Sequence, residues 1–153
     1  MGRAVANLYR ATGRPVKTVQ VINDRGVHIC QSMLAWKLYG NGETPESSNL
    51  KGDHLVGKYY VRFSEQHKAQ QQALQQEGMS EEDARTQAPI YQEAQEMLKA
   101  WERGDPEVRS LWGKLNQWVY SGFDQTLAKL GITFDKNYYE SETYEKGLSL
   151  IHI

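Results

Sequence analysis

The strongest constraint in the sequence is the stretch that follows Asp105-Pro106. Val108, Leu111, Trp112, Leu115, Trp118, Val119, Phe123, Leu127 and Leu130 recur at three- and four-residue spacing. That is the period of a helix with one apolar face, sustained over roughly six turns. Asp105 is a cap candidate, Pro106 suits the first helical position, and Gly131 ends the run. A helix of this length must bury its apolar stripe against other elements, so the chain has to supply them. The same strict spacing makes Trp112 and Trp118 core residues rather than a platform for stacking bases.

Those other elements can be read from their punctuation. A short helix at 3–11 is closed by Gly13 and Pro15, and a β-branched strand follows at 16–22. The turn formers Asn23-Asp24-Arg25-Gly26 lead into a helix at about 27–39, with Ile29, Cys30, Met33, Leu34 and Leu38 on one stripe. Residues 40–53 carry loop signals throughout. From His54 a helical stretch bearing Leu55, Val56, Tyr59, Tyr60 and Phe63 passes into the polar run 64–76. The pattern leaves that run open between an exposed helix end and a mobile arm. Gly78 breaks it, Ser80 opens a helix with an acid three residues on, and Pro89 bends or divides that helix. After Gly131, residues 132–134 read as a short strand and 135–144 as irregular. Helix, strand, turn and helix in this order suggest a parallel α/β unit, so the expected class is α/β, with a largely helical insertion at about 41–130.

Composition narrows the function classes. With 153 residues the chain suggests one domain, or part of a larger one. Eighteen Lys+Arg against nineteen Asp+Glu leave a net charge of −1, which excludes a generally basic nucleic-acid binder and gives no reason to expect attraction to a membrane surface. Four Trp, nine Tyr and three Phe argue against disorder. The single cysteine excludes an intramolecular disulfide and a Cys-rich zinc site, and is compatible with a reducing cytoplasm. No apolar run nears the roughly 18 residues of a membrane span, and no secretory signal is visible at the N-terminus. The expectation is a soluble, cytoplasmic, globular piece.

Candidate chemistry is sparse. His28 and Cys30 lie two apart with Asp24 before them, but no second ligand pair follows, so no protein-bound metal is expected. Cys30 sits on the apolar stripe and reads as a small core residue. Asn23-Asp24-Arg25-Gly26 ends a strand and begins a helix, the place where open α/β sheets bind ligands. The competing reading is that Asn23 or Asp24 only caps the following helix. Lys51, Lys58, Arg62 and Lys68 could meet a phosphate backbone, yet the interspersed acids favour a solvated face. Glu140 and Ser141, inside Tyr138-Tyr139-Glu140-Ser141-Glu142, would be costly to bury unless used.

Several separate segments resemble one family in its order and spacing. They are Val19 to Trp36, Tyr39-Gly40-Asn41-Gly42-Glu43-Thr44-Pro45-Glu46-Ser47 with Lys51-Gly52-Asp53, Arg103-Gly104-Asp105-Pro106-Glu107-Val108-Arg109 through Trp118-Val119, and Gly131 through Phe134-Asp135 to Glu140-Ser141. Together they resemble arginyl-tRNA synthetase, a class I aminoacyl-tRNA synthetase. The resemblance implies part of a Rossmann-like nucleotide-binding catalytic domain, contributed by 1–40 and 131–147, with 41–130 as the connective insertion. It implies arginine, ATP (with Mg2+) and arginine tRNA as partners of the full enzyme, no membrane, and a cytoplasmic monomer. Asn23, Asp24, Gly26 and His28 fall on the family's Asp-x-Gly-x-Gln/His turn at the active-site edge, and Glu140 and Ser141 on its Glu-Ser pair.

Two departures bear on activity. The family's His-x-Gly-His signature, which holds ATP, belongs just upstream of Met1, so Met1 reads as an internal methionine. The loop of the Lys-Met-Ser-Lys type and the anticodon domain belong downstream. Residues 148–153, Leu-Ser-Leu-Ile-His-Ile, are what CTG TCT CTT ATA CAC ATC encodes, a match to a transposon end used in sequencing libraries, and read as an adaptor-derived tail. The expectation is an internal catalytic-domain fragment, inactive alone; the alternative is a non-catalytic tRNA- or partner-binding module derived from such a synthetase.

Overall fold

The computed structural model describes residues 2–144. In chain order the elements are α1 (Gly2–Ala11), β1 (Val19–Ile22), α2 (Val27–Tyr39), α3 (Pro45–Ser48), α4 (Gly52–Gln76), α5 (Glu81–Gln87), α6 (Pro89–Glu102), α7 (Pro106–Lys129) and β2 (Lys136–Tyr139). A helical turn begins at Glu140. The described chain is mostly helical, with one parallel pair of strands. Gly26–Phe123 packs as one unit, and the described residues on either side of it pack as another.

The Gly26–Phe123 unit is a helical cluster built around α2. Cys30, Met33, Leu34 and Ala35 meet Leu55, Tyr59 and Phe63 of α4, Ile90, Ala94 and Met97 of α6, and Leu115 of α7. Val108, Leu111, Trp112 and Trp118 pack partly buried against this core, as their spacing requires. The stripe expected on α2 needs correction: Leu38 is 47% exposed, whereas Ser32 and Ala35 are buried. Helix α2 contacts both α4 and α6, so its middle is enclosed on more than one side and a one-face pattern cannot describe it. The stripe of α7 is likewise shorter than expected, since Phe123 and Leu130 are exposed.

One loop expectation is overturned, and one open reading is decided. Residues 45–48 form a turn of helix, held by a reciprocal capping box in which Thr44 Oγ1 accepts from Ser47 N and Ser47 Oγ accepts from Thr44 N. The polar run 64–76 is continuous helix, and its polar side chains have partners far along the chain. Gln70 Oε1 accepts from Ile90 N at 2.9 Å, satisfying a free N–H at the start of α6, where Ala88 offers no side-chain cap. His67 stacks on Tyr91 (5.2 Å between centroids) and its Nε2 lies 2.8 Å from the Arg85 carbonyl oxygen. Pro89 divides the helix after Ser80 into α5 and α6.

Lys51, Lys58 and Arg62 are tied to carboxylates, respectively Asp53, Glu43 and Glu65. Glu43 also accepts from the Tyr59 hydroxyl at 2.5 Å, while its carbonyl takes Trp36 Nε1–H at 2.8 Å. The bonds from Lys58 and then Tyr59 hold the Glu43 carboxyl below its ordinary value of 4.5, and Tyr59 is pushed up to about 12, chiefly by burial. A depressed carboxyl stabilises the fold above its unfolded pKa, and that share is lost as pH falls through the folded value. The melting temperature of the native chain should therefore fall faster below pH 4.5 than that of Glu43→Gln; identical pH profiles would show that the Lys58–Glu43–Tyr59 cluster contributes nothing.

The other unit holds α1 and the sheet. Strands β1 and β2 run parallel, in register from Val19↔Lys136 to Ile22↔Tyr139. Parallel strands cannot be joined by a hairpin, so a long crossover must intervene, and α2 to α7 supply it. The strand expected at 132–134 is in fact at 136–139, and that expected at 16–22 is confined to 19–22. Asp135 sets both limits: its Oδ2 accepts from Thr18 N (2.6 Å) and Thr18 Oγ1 (2.8 Å), and its own N–H donates to Thr18 O (2.8 Å). This clamp closes the entrance to the ladder, and pairing starts one residue later on each side. The tail expected at 148–153 lies outside the described residues.

Candidate functional site at the carboxyl ends of the parallel strands

Beyond Ile22 and Tyr139 the in-register relation of the strands continues through side chains. One residue past each strand, the Asn23 amide nitrogen donates to Glu140 Oε2 (2.5 Å) and to Arg25 O (2.9 Å), in the amide orientation that satisfies both groups. Two residues past each strand, Asp24 Oδ1 accepts from Ser141 N (2.8 Å) and Asp24 Oδ2 from Ser141 Oγ (2.7 Å). The result is two rungs, an outer Asn23–Glu140 pair and an inner Asp24–Ser141 pair. Asp24 is 1% exposed, so its carboxylate depends on those donors; a buried charge without them would cost several kcal/mol, on the order of the ionic desolvation penalty.

The rungs settle the question left open by the sequence. Neither Asn23 nor Asp24 caps α2: the N-cap is Gly26, without a side-chain cap hydrogen bond. Asp24 instead caps the helical turn that starts at Glu140, accepting from the N–H of Ser141, 117 residues along the chain. Gly26 has φ +114°, a conformation that favours glycine, and belongs with the exposed His28 to the unit that α2 opens. Of the six residues named from the sequence, Asn23, Asp24, Glu140 and Ser141 are thus brought together in one unit, while Gly26 and His28 are described in the other. Sequence reasoning missed Arg25, whose guanidinium lies 3.6 Å from the centre of the Tyr144 ring. No local signal marks that contact.

Chemically the ladder offers one buried carboxylate whose two oxygens each accept a hydrogen bond, one half-buried carboxylate with an amide beside it, and a hydroxyl that donates inward. It is suited to holding a ligand that carries hydrogen-bond donors or positive charge. Among the described residues no cluster of three or more His, Cys, Asp or Glu is placed to hold a metal ion, and no helix is long and apolar enough to cross a membrane.

No family model matches the chain. Curated relatives do. The chain is 57% identical over 147 residues to the arginine–tRNA ligase of Bacteroides thetaiotaomicron, covering 96% of this chain and 25% of that protein. It is 56% identical over 151 residues to the arginine–tRNA ligase of Amoebophilus asiaticus, covering 99% and 25%, and 52% identical over 153 residues to that of Flavobacterium psychrophilum, covering 100% and 26%. The chain spans about a quarter of the length of the curated relatives it matches. Aligned over nearly all of its own length at such identity, it belongs to the arginine–tRNA ligase family as a quarter-length segment.

Proposed function

We propose that the chain is a catalytic-domain segment of an arginine–tRNA ligase, the enzyme that uses ATP to activate arginine as an adenylate and transfers it to the 3′ end of its tRNA. The observation that carries this reading is the 52–57% identity to such ligases across 96–100% of the chain. Residues 1–40 and 131–147 would belong to a Rossmann-like nucleotide-binding domain and 41–130 to a helical connective insertion. A parallel strand pair joined by a long helical crossover supports an α/β frame carrying a helical insertion, while α2 (Val27–Tyr39) packs with the helices of the insertion. Asn23, Asp24, Gly26, His28, Glu140 and Ser141 then lie at the edge of the substrate site, on the side where parallel sheets bind ligands. ATP enters with Mg2+ as substrate, and no resident metal is called for. The working enzyme is a cytoplasmic monomer.

In this reaction the protein's task is to align arginine for in-line attack on the α-phosphate of ATP and to stabilise the charge that develops there. The 153 residues contain no His-x-Gly-His sequence, so this segment does not hold ATP in the family's manner by itself. Its function is tested by graft. The segment is exchanged for its 147-residue counterpart in the Bacteroides thetaiotaomicron ligase, and the chimera is expressed in cells depleted of their own arginine–tRNA ligase. Growth is the expected result. A soluble, folded chimera that does not support growth would refute the reading.

A further inference from the structure

Resting on that reading, we infer that a groove between α2 and α4 is an internal docking surface, covered in the whole ligase by an apolar segment from the part of the enzyme outside this chain. The first observation is an interrupted stripe. Ile29, Cys30, Met33, Leu34 and Leu38 share one apolar pattern on α2, and Cys30, Met33 and Leu34 are no more than 4% exposed. Leu38, the last of them, is 47% exposed. The pattern prepares a buried position that nothing covers among the described residues. Helix α4 repeats the mismatch: Leu55, Tyr59 and Phe63 are buried at four-residue spacing, whereas Val61 falls off that stripe and is 56% exposed. Leu38, Val61 and the partly exposed Tyr39 line a single groove of about 650 Å³. Scattered apolar side chains on a surface are ordinary, but three from two helices around one groove form a contiguous patch of the kind that marks an interaction site.

The charges in the groove favour a protein occupant over a nucleic acid. Two cations line it, Lys58 and Arg62, and each is neutralised within the helical unit. Lys58 Nζ lies 2.8 Å from Glu43 Oε2 and Arg62 Nη1 3.4 Å from Glu65 Oε2, with the Arg62 guanidinium 5.2 Å from the centre of the Tyr39 ring. The Tyr59 hydroxyl donates to Glu43 as well. A phosphate backbone binds where cations are left for it. Here they are already paired, and what remains is aliphatic and aromatic surface with a polar rim, the make-up of an interface with another stretch of protein. The chain spans about a quarter of the length of its curated relatives, so the ligase has chain to supply the cover. A segment tethered in the same polypeptide also avoids most of the translational and rotational cost of association, which suits a groove of this size.

Thiol labelling of the purified graft reads the cover directly. Cys30 is the segment's single native cysteine, 2% exposed and with its thiol pushed up to about 11, chiefly by burial, so it stays unlabelled and reports that the segment is folded. Without tRNA, Leu38→Cys and Val61→Cys should react with a maleimide about tenfold or more slowly than Gln76→Cys, at an exposed position of α4, because a covered thiol is reached only when the interface opens. Peptide mass mapping assigns each adduct to its cysteine. As a second measure, Leu38→Glu should lower the melting temperature of the graft, and Gln76→Glu should leave it unchanged. Labelling at either groove position as fast as at Gln76→Cys overturns the inference. Protection that disappears on dilution gives the groove to a second copy, and protection that arises only when tRNA is added gives it to RNA; either also overturns it. A folded, unsubstituted graft that charges no tRNA is a different result, which refutes the functional reading itself, whereas a graft that charges tRNA with open thiols in the groove refutes only the docking surface.

Discussion

Gly52→Ala should strongly destabilise the helical unit, although glycine-to-alanine changes inside helices ordinarily stabilise. Gly52 is the first residue of α4, and a Cβ there would sit 2.6 Å from the Trp118 carbonyl carbon and 2.9 Å from its Cα, closer still to its oxygen. All three atoms are backbone of α7, so no rotamer change relieves the overlap, and the two helices must separate. Overpacking of this kind costs about 3 kcal/mol or more, a large share of the roughly 5–15 kcal/mol that holds a domain together. Gly122→Ala meets Asp53 from the other side of the same contact, 2.7 Å from its Cγ and 2.9 Å from its backbone N. There the carboxylate can rotate away but the nitrogen cannot, so a smaller loss of about 1–3 kcal/mol is expected. Gly57 and Gly113 serve as controls within the same two helices, because a Cβ at either has nothing within 4 Å. Alanine at those positions should stabilise by about 0.5–1 kcal/mol. Urea denaturation of the four variants separates the cases, and a Gly52→Ala protein as stable as the native chain would mean that α4 and α7 do not meet as described.

Trp101→Ala should be nearly as damaging. Trp101 is 2% exposed, and its ring meets Trp112 edge-on with centroids 5.4 Å apart. The Arg109 guanidinium lies 3.6 Å from the ring centre, and Arg109 Nε–H donates to the Trp101 carbonyl oxygen at 2.8 Å. One side chain thus anchors the end of α6, the first turns of α7 and the cation that reaches back across the turn between them, where Gly104 takes φ +82°. Truncation removes the buried ring and leaves a cavity that the surrounding helices cannot close, for about 3–5 kcal/mol. Trp101→Phe keeps an aromatic face for Arg109 and should lose less than half of that. Equal losses for the two variants would show that the ring's contacts with Trp112 and Arg109 are immaterial.

What could be read from the sequence, and what could not, divides along a physical line. Element ends marked by local chemistry were legible: Gly13, Ser80, Pro89, Asp105-Pro106 and Gly131 each act within a turn of their own position. Strand β2 was misplaced because Lys136-Asn137-Tyr138-Tyr139 has no apolar alternation of its own; it is a strand because Asp135 clamps Thr18 and sets the register. The polar half of α4 was left open for a similar reason, since Gln70 and His67 find their partners on α6 and α5. At the site, the residue types and strand-end positions of Asn23, Asp24, Glu140 and Ser141 were legible through resemblance. Their pairing was not, because it joins positions 117 residues apart and no periodicity spans that distance.

Arginine charging in vitro, measured side by side on the isolated 153-residue chain and on the graft with ATP and arginine tRNA, bears most directly on what this molecule is. A catalytic-domain segment yields no charged tRNA from the isolated chain and sustained arginine-dependent charging from the graft. Charging by the isolated chain would contradict the segment's dependence on the rest of the ligase, and a folded graft that does not charge would contradict its place in the catalytic domain.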